Sequence, residues 1–168
     1  MTPDDVRQQL ALLHRDAWGW AVSCCRGDRQ AAHDVLHDAY VRILDHKLTF
    51  SGRSSFKTWV FGVVRVTAMA ARRRRLVLDI IFEPLGPQAQ SVVAEGANSA
   101  GSRGLAKAIG DLPRRQREVM SLVLAHDLTI EEAANVMNVS VGSARQHHAR
   151  AKEKLRAALL TTSEQAHG

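Results

Sequence analysis

Cysteine is scarce: the 168-residue chain has two, adjacent at Cys24 and Cys25, so neither a disulfide framework nor the paired C-x-x-C spacing of a structural zinc site is available. A reducing compartment fits that count. Proline is nearly as rare, with four residues at positions 3, 84, 87 and 113, so the stretches 4–83 and 114–168 contain nothing that would break a helix by removing an N–H. Long hydrophobic runs are missing, and the opening Met1-Thr2-Pro3-Asp4-Asp5 is acidic where a signal peptide would be basic. Neither membrane insertion nor secretion is expected, and a cytoplasmic location is. The chain also lacks a Gly-rich phosphate loop, a G-x-S-x-G elbow, an H-E-x-x-H pair and any repeat at solenoid spacing. No catalytic residue and no cofactor is expected. His33 and His37 stand four apart, a spacing able to hold a metal, with the two cysteines one loop away. Without an identifiable further ligand, the simpler reading is a pair of solvated helix-face histidines.

What the chain does have is an excess of basic side chains, 23 Lys and Arg against 17 Asp and Glu, in a background that is 45% hydrophobic. That hydrophobic share supplies the core of one ordinary domain or two small ones. The charge is uneven. Residues 1–80 hold 13 basic and 8 acidic side chains, 81–104 hold 1 and 2, and 105–168 hold 9 and 7. Two basic blocks therefore flank a slightly acidic connector, and a polyanion is the natural partner, nucleic acid more than a membrane surface.

Residues 84–104 collect two prolines, four glycines (Gly86, Gly96, Gly101, Gly104) and three serines with little apolar periodicity, the composition of a flexible linker. It divides the chain into 1–83 and 105–168. As a coil it would span on the order of 25 Å, and about 70 Å if drawn straight, so the two parts can occupy separated sites. In the first part, Thr2 is placed to cap a helix with Pro3 at its first position, and Val6, Leu10, Leu13, Ala17 and Ala21 follow at helical spacing. Gly27 is a stop signal and Asp28 the next cap, ahead of a helix with Ala32, Val35, Leu36, Ala39 and Ile43 on one face. After a polar break at 48–54, Phe56, Trp59, Val60, Val63, Val64, Thr67 and Ala71 mark a third helix running toward Arg72–Arg75. Whether Leu76 to Phe82 extends it or forms a separate strand is open at this level.

In the second part, Leu105–Ile109 is a short apolar helix candidate and Pro113 opens another. Thr129-Ile130-Glu131-Glu132 fits a capping box, because the threonine hydroxyl and the Glu132 carboxylate can each satisfy the other's orphan N–H. Asn138-Val139-Ser140 then makes a turn, with asparagine tolerating a left-handed backbone and serine capping the helix from Val141. This is a helix-turn-helix pattern, and the fold class is all-α, two small helical domains joined by a flexible linker. With Val141, Ala144, Ala151 and Leu155 toward the core, Ser143, Arg145, Gln146, His147 and Arg150 face outward. The Arg fork matches guanine O6 and N7, and the Gln amide matches adenine N6 and N7. The competing reading is a solvated basic helix face.

The segment Leu112-Pro113-Arg114-Arg115-Gln116-Arg117-Glu118-Val119, followed by Leu128-Thr129 through Arg150-Ala151, resembles the C-terminal promoter-binding domain of extracytoplasmic-function (ECF) sigma factors of bacterial RNA polymerase. A LuxR-type output domain shares much of that pattern, and a stand-alone helix-turn-helix regulator binding operators is the alternative. The first part separates the two. Asp34-Val35-Leu36-His37-Asp38-Ala39-Tyr40-Val41-Arg42 and Phe50-Ser51-Gly52-Arg53-Ser54-Ser55-Phe56-Lys57-Thr58-Trp59-Val60 resemble the N-terminal domain of the same sigma family.

The resemblance implies promoter recognition and melting in company with core RNA polymerase, promoter DNA and, commonly, an anti-sigma factor. It assigns Asp34, Asp38 and Arg42 to core polymerase docking, and an Asp38–Arg42 pair at i, i+4 is the local alternative. It assigns the stretch Phe50 to Arg75 to the minus-10 element. There Lys57, Phe61, Arg65 and Arg72 line one side of the third helix, and Phe50 and Arg53 stand in the preceding loop where an unstacked base could be met. Phe61 has an equally simple reading as a core residue, and Arg72–Arg75 as a helix C-terminus favoured by the macrodipole. The second part then reads the minus-35 element. Four positions depart from the family pattern. Val66 stands where an asparagine associated with base capture is usual, Asn138 replaces the turn glycine, and His147 and His148 replace an arginine and a leucine. His148 falls on the apolar face, as a buried or half-buried histidine with a hydrogen-bond partner, or as a group whose protonation loosens the packing.

Overall fold

The computed structural model describes residues 1–81 and 100–165. Every regular element among them is helical, and the chain separates into two compact units, Met1–Ser91 and Val92–Gly168.

The first unit holds α1 (Pro3–Cys24), α2 (Arg29–Leu44) and α3 (Phe56–Ile81), each packed against the other two. Thr2 and Asp5 close a capping box on α1, the Asp5 N–H donating to Thr2 Oγ1 at 3.1 Å and the Thr2 N–H to Asp5 Oδ2 at 2.7 Å. The α1–α2 turn is tight, with Arg26 and Gly27 both at positive φ (58° and 89°), and Asp28 Oδ1 accepts the Ala31 N–H to begin α2. All five apolar residues expected on α2 are buried. On α1 the core set includes Trp20, whose indole lies parallel to the Phe61 ring at 5.8 Å and donates Nε1–H to the Phe61 carbonyl at 3.0 Å. Leu76 to Ile81 extends α3 as helix, and Phe82 lies outside the described residues.

The second unit holds α4 (Ala100–Gly110), α5 (Arg114–Leu124), α6 (Ile130–Met137) and α7 (Val141–Gln165). The expected linker lies outside the described residues as far as 99. Its remainder, 100–104, is instead the start of α4, because a helix nucleated by Leu105–Ile109 gains a hydrogen bond for each residue added, which offsets the roughly 1 kcal/mol cost of each of Gly101 and Gly104. Leu112, Val119, Met120, Leu122, Leu128, Ala133, Ala134, Val136, Met137, Ala144, Ala151 and Leu155 are buried. The family-like arginines of α5 are scaffolding: Arg115 Nη1 donates to the Met137 carbonyl at 3.2 Å, and Arg117 Nη1 to the carbonyls of Gly110 and Leu112 at 2.9 and 3.0 Å.

Candidate nucleic-acid interface

The helix-turn-helix is built as its chemistry requires. Glu132 Oε2 accepts the Thr129 N–H at 2.9 Å and Thr129 Oγ1 the Glu132 N–H at 3.1 Å, which fixes where α6 begins. Asn138 ends it in the left-handed region (φ 52°), the Val139 N–H returns to the Ala134 carbonyl at 3.1 Å, and Ser140 Oγ accepts the Ser143 N–H at 3.1 Å to start α7. Ala144, Ala151 and Leu155 anchor α7 inward, while Val141 is half-buried. Arg145, Gln146 and Arg150 are exposed. Ser143 and His147 are half-buried at the flank of that face, and the Ser140 hydroxyl meets Ser143 Oγ at 2.9 Å. Arg145 also reaches back to α6, its Nη2 at 2.8 Å from Glu131 Oε1. Glu131, in the first turn of α6, is held below the ordinary carboxylate range, first by a hydrogen bond from its own backbone and then by Arg145.

The minus-10 residues are divided by the fold. Phe61 is fully buried and Arg65 only 4% exposed, so the side of α3 that combined an aromatic with basic groups faces inward. That corrects the expected platform. α3 is packed by both α1 and α2, and the Lys57, Phe61, Arg65 spacing lies on the packed side. Lys57 lies over the Phe61 ring at 5.7 Å and bridges to Asp16 Oδ2 on α1 at 2.8 Å, an internal tie. The open side of α3 carries Trp59, Gly62, Val66, Met69 and Arg73, of which Val66 is 57% exposed. At its lower end Phe50, Phe56 and Trp59 form a half-buried aromatic cluster with each pair of ring centroids 5.5 Å apart, beside the exposed Arg53. Helical spacing marks Phe56 and Trp59 as core positions, and both are instead half-buried. Their signal was their nearness to Phe50 and Arg53 across a short polar loop.

Arg72–Arg75 are all exposed, and they do not end the helix, which continues to Ile81. The macrodipole reading is therefore excluded, because that field acts within the last turn. Arg75 Nη1 lies 3.5 Å from Asp28 Oδ2, the other oxygen of the α2 cap. On α2, Asp34 and Asp38 are exposed one turn apart, with Val41 exposed and Arg42 half-buried below them. Gln30 Nε2 donates to Asp34 Oδ1 at 3.3 Å, and no ion pair joins Asp38 to Arg42 among the described residues.

No group of three or more His, Cys, Asp or Glu capable of holding a metal occurs among the described residues. His33 and His37 instead line a shallow groove with His14, Trp18, Leu36 and Tyr40. Burial, then the Asp28 carboxylate, pushes the Cys25 thiol up to about 11, which disfavours the thiolate a metal would need. No described helix is long and apolar enough to cross a membrane.

Two basic helical units, one carrying a capped helix-turn-helix, have the architecture of a helix-turn-helix transcription protein, and comparison with known proteins gives the family. Residues 10–76 match the family model "Sigma-70 region 2" and residues 102–155 match "Sigma-70, region 4". The chain is 25% identical over 159 residues to the ECF RNA polymerase sigma factor SigM of Bacillus subtilis, covering 94% of each. It is 27% identical over 160 residues to the ECF sigma factor EcfG of Rhodopseudomonas palustris, covering 93% of this chain and 86% of that one. Among solved structures, it resembles the sigma factor RpoE of Bartonella quintana, crystallised with the anti-sigma factor NepR, at 22% identity and a TM-score of 0.78, covering 92% of this chain and 96% of that one. CnrH, solved with the cytosolic domain of CnrY, gives 23% identity and a TM-score of 0.61, covering 92% and 87%. The chain belongs to the ECF RNA polymerase sigma factor family, whose members direct RNA polymerase to promoters and are not enzymes. A region 2 match over the first unit removes the LuxR-type alternative, which rested on the second unit alone.

Proposed function

We propose that α2 docks core RNA polymerase through Asp34, Asp38 and Arg42, that the loop and open face of α3 engage the minus-10 element, and that α7 reads the minus-35 element. The carrying observation is the capped turn that fixes α7 and leaves Arg145, Gln146 and Arg150 exposed on one face. At the minus-10 element Phe61, Arg65 and Lys57 give way to the aromatic cluster of Phe50, Phe56 and Trp59, with Arg53 in the adjoining loop, Val66 two turns along the open face and the exposed Arg72 farther up α3. Ser143 and His147 flank the minus-35 reader. The N-terminal domain is 1–83, and the second domain begins with α4 at Ala100 rather than at 105.

Because two tethered readers gain most when something fixes their separation, the free chain binds promoter DNA weakly and the complex with core binds it tightly. The protein acts in the bacterial cytoplasm. An anti-sigma factor is a further proposed partner, supported by the two solved relatives, each of which was solved in complex with another protein, NepR being named an anti-sigma factor. The test is reconstitution with bacterial core RNA polymerase followed by run-off transcription on a library of promoter fragments. Sequence-selective transcripts that depend on the protein are expected. The Asp34→Lys, Asp38→Lys double variant should keep its helical circular dichroism and lose core affinity. Unchanged affinity would remove α2 from the docking role, and tight operator binding without core would overturn the reading.

A further inference from the structure

The two consecutive glutamates that open α6 act on different targets. Glu132 turns back to its own cap and is occupied by the Thr129 N–H. Glu131, one residue earlier, crosses to α7 and accepts from Arg145 Nη2 at 2.8 Å. Both partners of this contact are more than half exposed, at 65% and 55% of their side chains, so it adds little to the stability of the fold. Its consequence is directional. An arginine on an exposed helix face has several rotamers of similar energy, most of which can swing to a phosphate, whereas bidentate recognition of guanine needs one orientation.

The carboxylate is presented from the first turn of α6, whose start is set by the Thr129–Glu132 box, so its backbone position is fixed relative to α7. A guanidinium has five N–H donors. One directed at Glu131 leaves the remainder of the fork for a base edge.

We propose that Glu131 is a positioning and specificity-determining residue, which holds the Arg145 guanidinium in a base-reading orientation and keeps it from sliding onto the phosphate backbone. The inference rests on the assignment of α7 to the minus-35 element. The same carboxylate, beside the reader, also repels phosphates. Removing it therefore strengthens non-specific binding while weakening discrimination, whereas loss of a merely structural contact would lower both.

The experiment uses the full chain in complex with bacterial core RNA polymerase. Duplexes randomised over the minus-35 region are selected for binding by the wild type, Arg145→Ala, Glu131→Ala and Glu131→Gln. Arg145→Ala identifies the base pair that this residue reads by abolishing the preference there. Glu131→Ala is expected to cut the same preference by about three- to tenfold and leave the other positions unchanged. It should also steepen the dependence of log K on log salt by about one, because the released arginine now contacts a phosphate. Glu131→Gln, which keeps an acceptor oxygen and loses the charge, should retain part of the preference. If Arg145→Ala removes a preference and Glu131→Ala leaves it intact, the positioning role is wrong and the minus-35 assignment stands. If Arg145→Ala changes no base preference, Arg145 is not a reader and the positioning role falls, with the minus-35 assignment left to Gln146 and Arg150.

Discussion

α3 and α7 are of similar length, 26 and 25 residues, and both carry arginines at helical spacing, yet they dispose of them in opposite ways. α7 buries small or apolar residues, Ala144, Ala151 and Leu155, and leaves its polar side to solvent. α3 takes Phe61, Arg65 and most of Lys57 into contact with α1 and α2, and leaves Val66 exposed. Four-residue spacing identifies which side chains share a face. It does not say which way the face points, and where two helices flank a third, a basic stripe can be the inner one if each cation finds a partner. Lys57 finds Asp16.

The sharpest way to break that comparison is Phe61→Ala. If the ring is core, stacked on Trp20, its removal costs about 3 to 5 kcal/mol and shifts the urea midpoint with little change in the slope. A midpoint that stays put while minus-10 binding weakens would return Phe61 to the DNA-facing side. The matching change on the open face, Val66→Ala, should leave stability nearly untouched, since that side chain is 57% exposed.

A smaller effect is expected from Lys57→Met, which keeps the stem over Phe61 and removes the ion pair with Asp16. The pair is part-exposed, with 26% and 46% of the two side chains accessible, so screening holds the loss to about 1 kcal/mol or less. A double-mutant cycle with Asp16→Asn measures it, and the coupling should shrink as salt is added. Promoter affinity unchanged beyond that loss would keep Lys57 as an internal tie, and a drop in the salt slope of DNA binding would make it a phosphate contact.

How much of this was legible followed from how local each signal is. The Thr129–Glu132 box, the left-handed Asn138 and the Ser140 cap depend on neighbours three residues away, and all are formed. The α2 face was equally readable, because one helix with one packed side repeats its burial in its own sequence. Trp20 was missed as a core residue because its place is set by Phe61, 41 residues on, through a stack and an indole-to-carbonyl bond that no local pattern encodes. The Arg145–Glu131 contact, which depends on the angle between two helices, was hidden in the same way. The run Arg72–Arg75 misled for a different reason: charge at an apparent helix end mimics a cap, and the apolar Leu76-Val77-Leu78 beyond it carried the helix on.

The gentlest probe of the contrast is pH, because the second unit places an ionisable residue on its packed face. His148 is half-buried on α7, and its pKa is lowered from the ordinary value of 6.5, first by burial and then by Lys152 one turn along. Among the described residues it has no hydrogen-bond partner, contrary to the expectation for a buried histidine. A base whose folded pKa is depressed is neutral in both states above 6.5, so its full contribution is present there. As pH falls below 6.5 the unfolded chain takes up the proton first, and stability declines until the folded state is protonated as well. The resistance of the second unit to urea should therefore fall between neutral pH and pH about 5, in a step that His148→Gln removes. The first unit, which holds all three tryptophans (Trp18, Trp20 and Trp59) and is followed through their fluorescence, should not share that step. If His148→Gln leaves the pH dependence as it was, protonation at this position does not loosen α7.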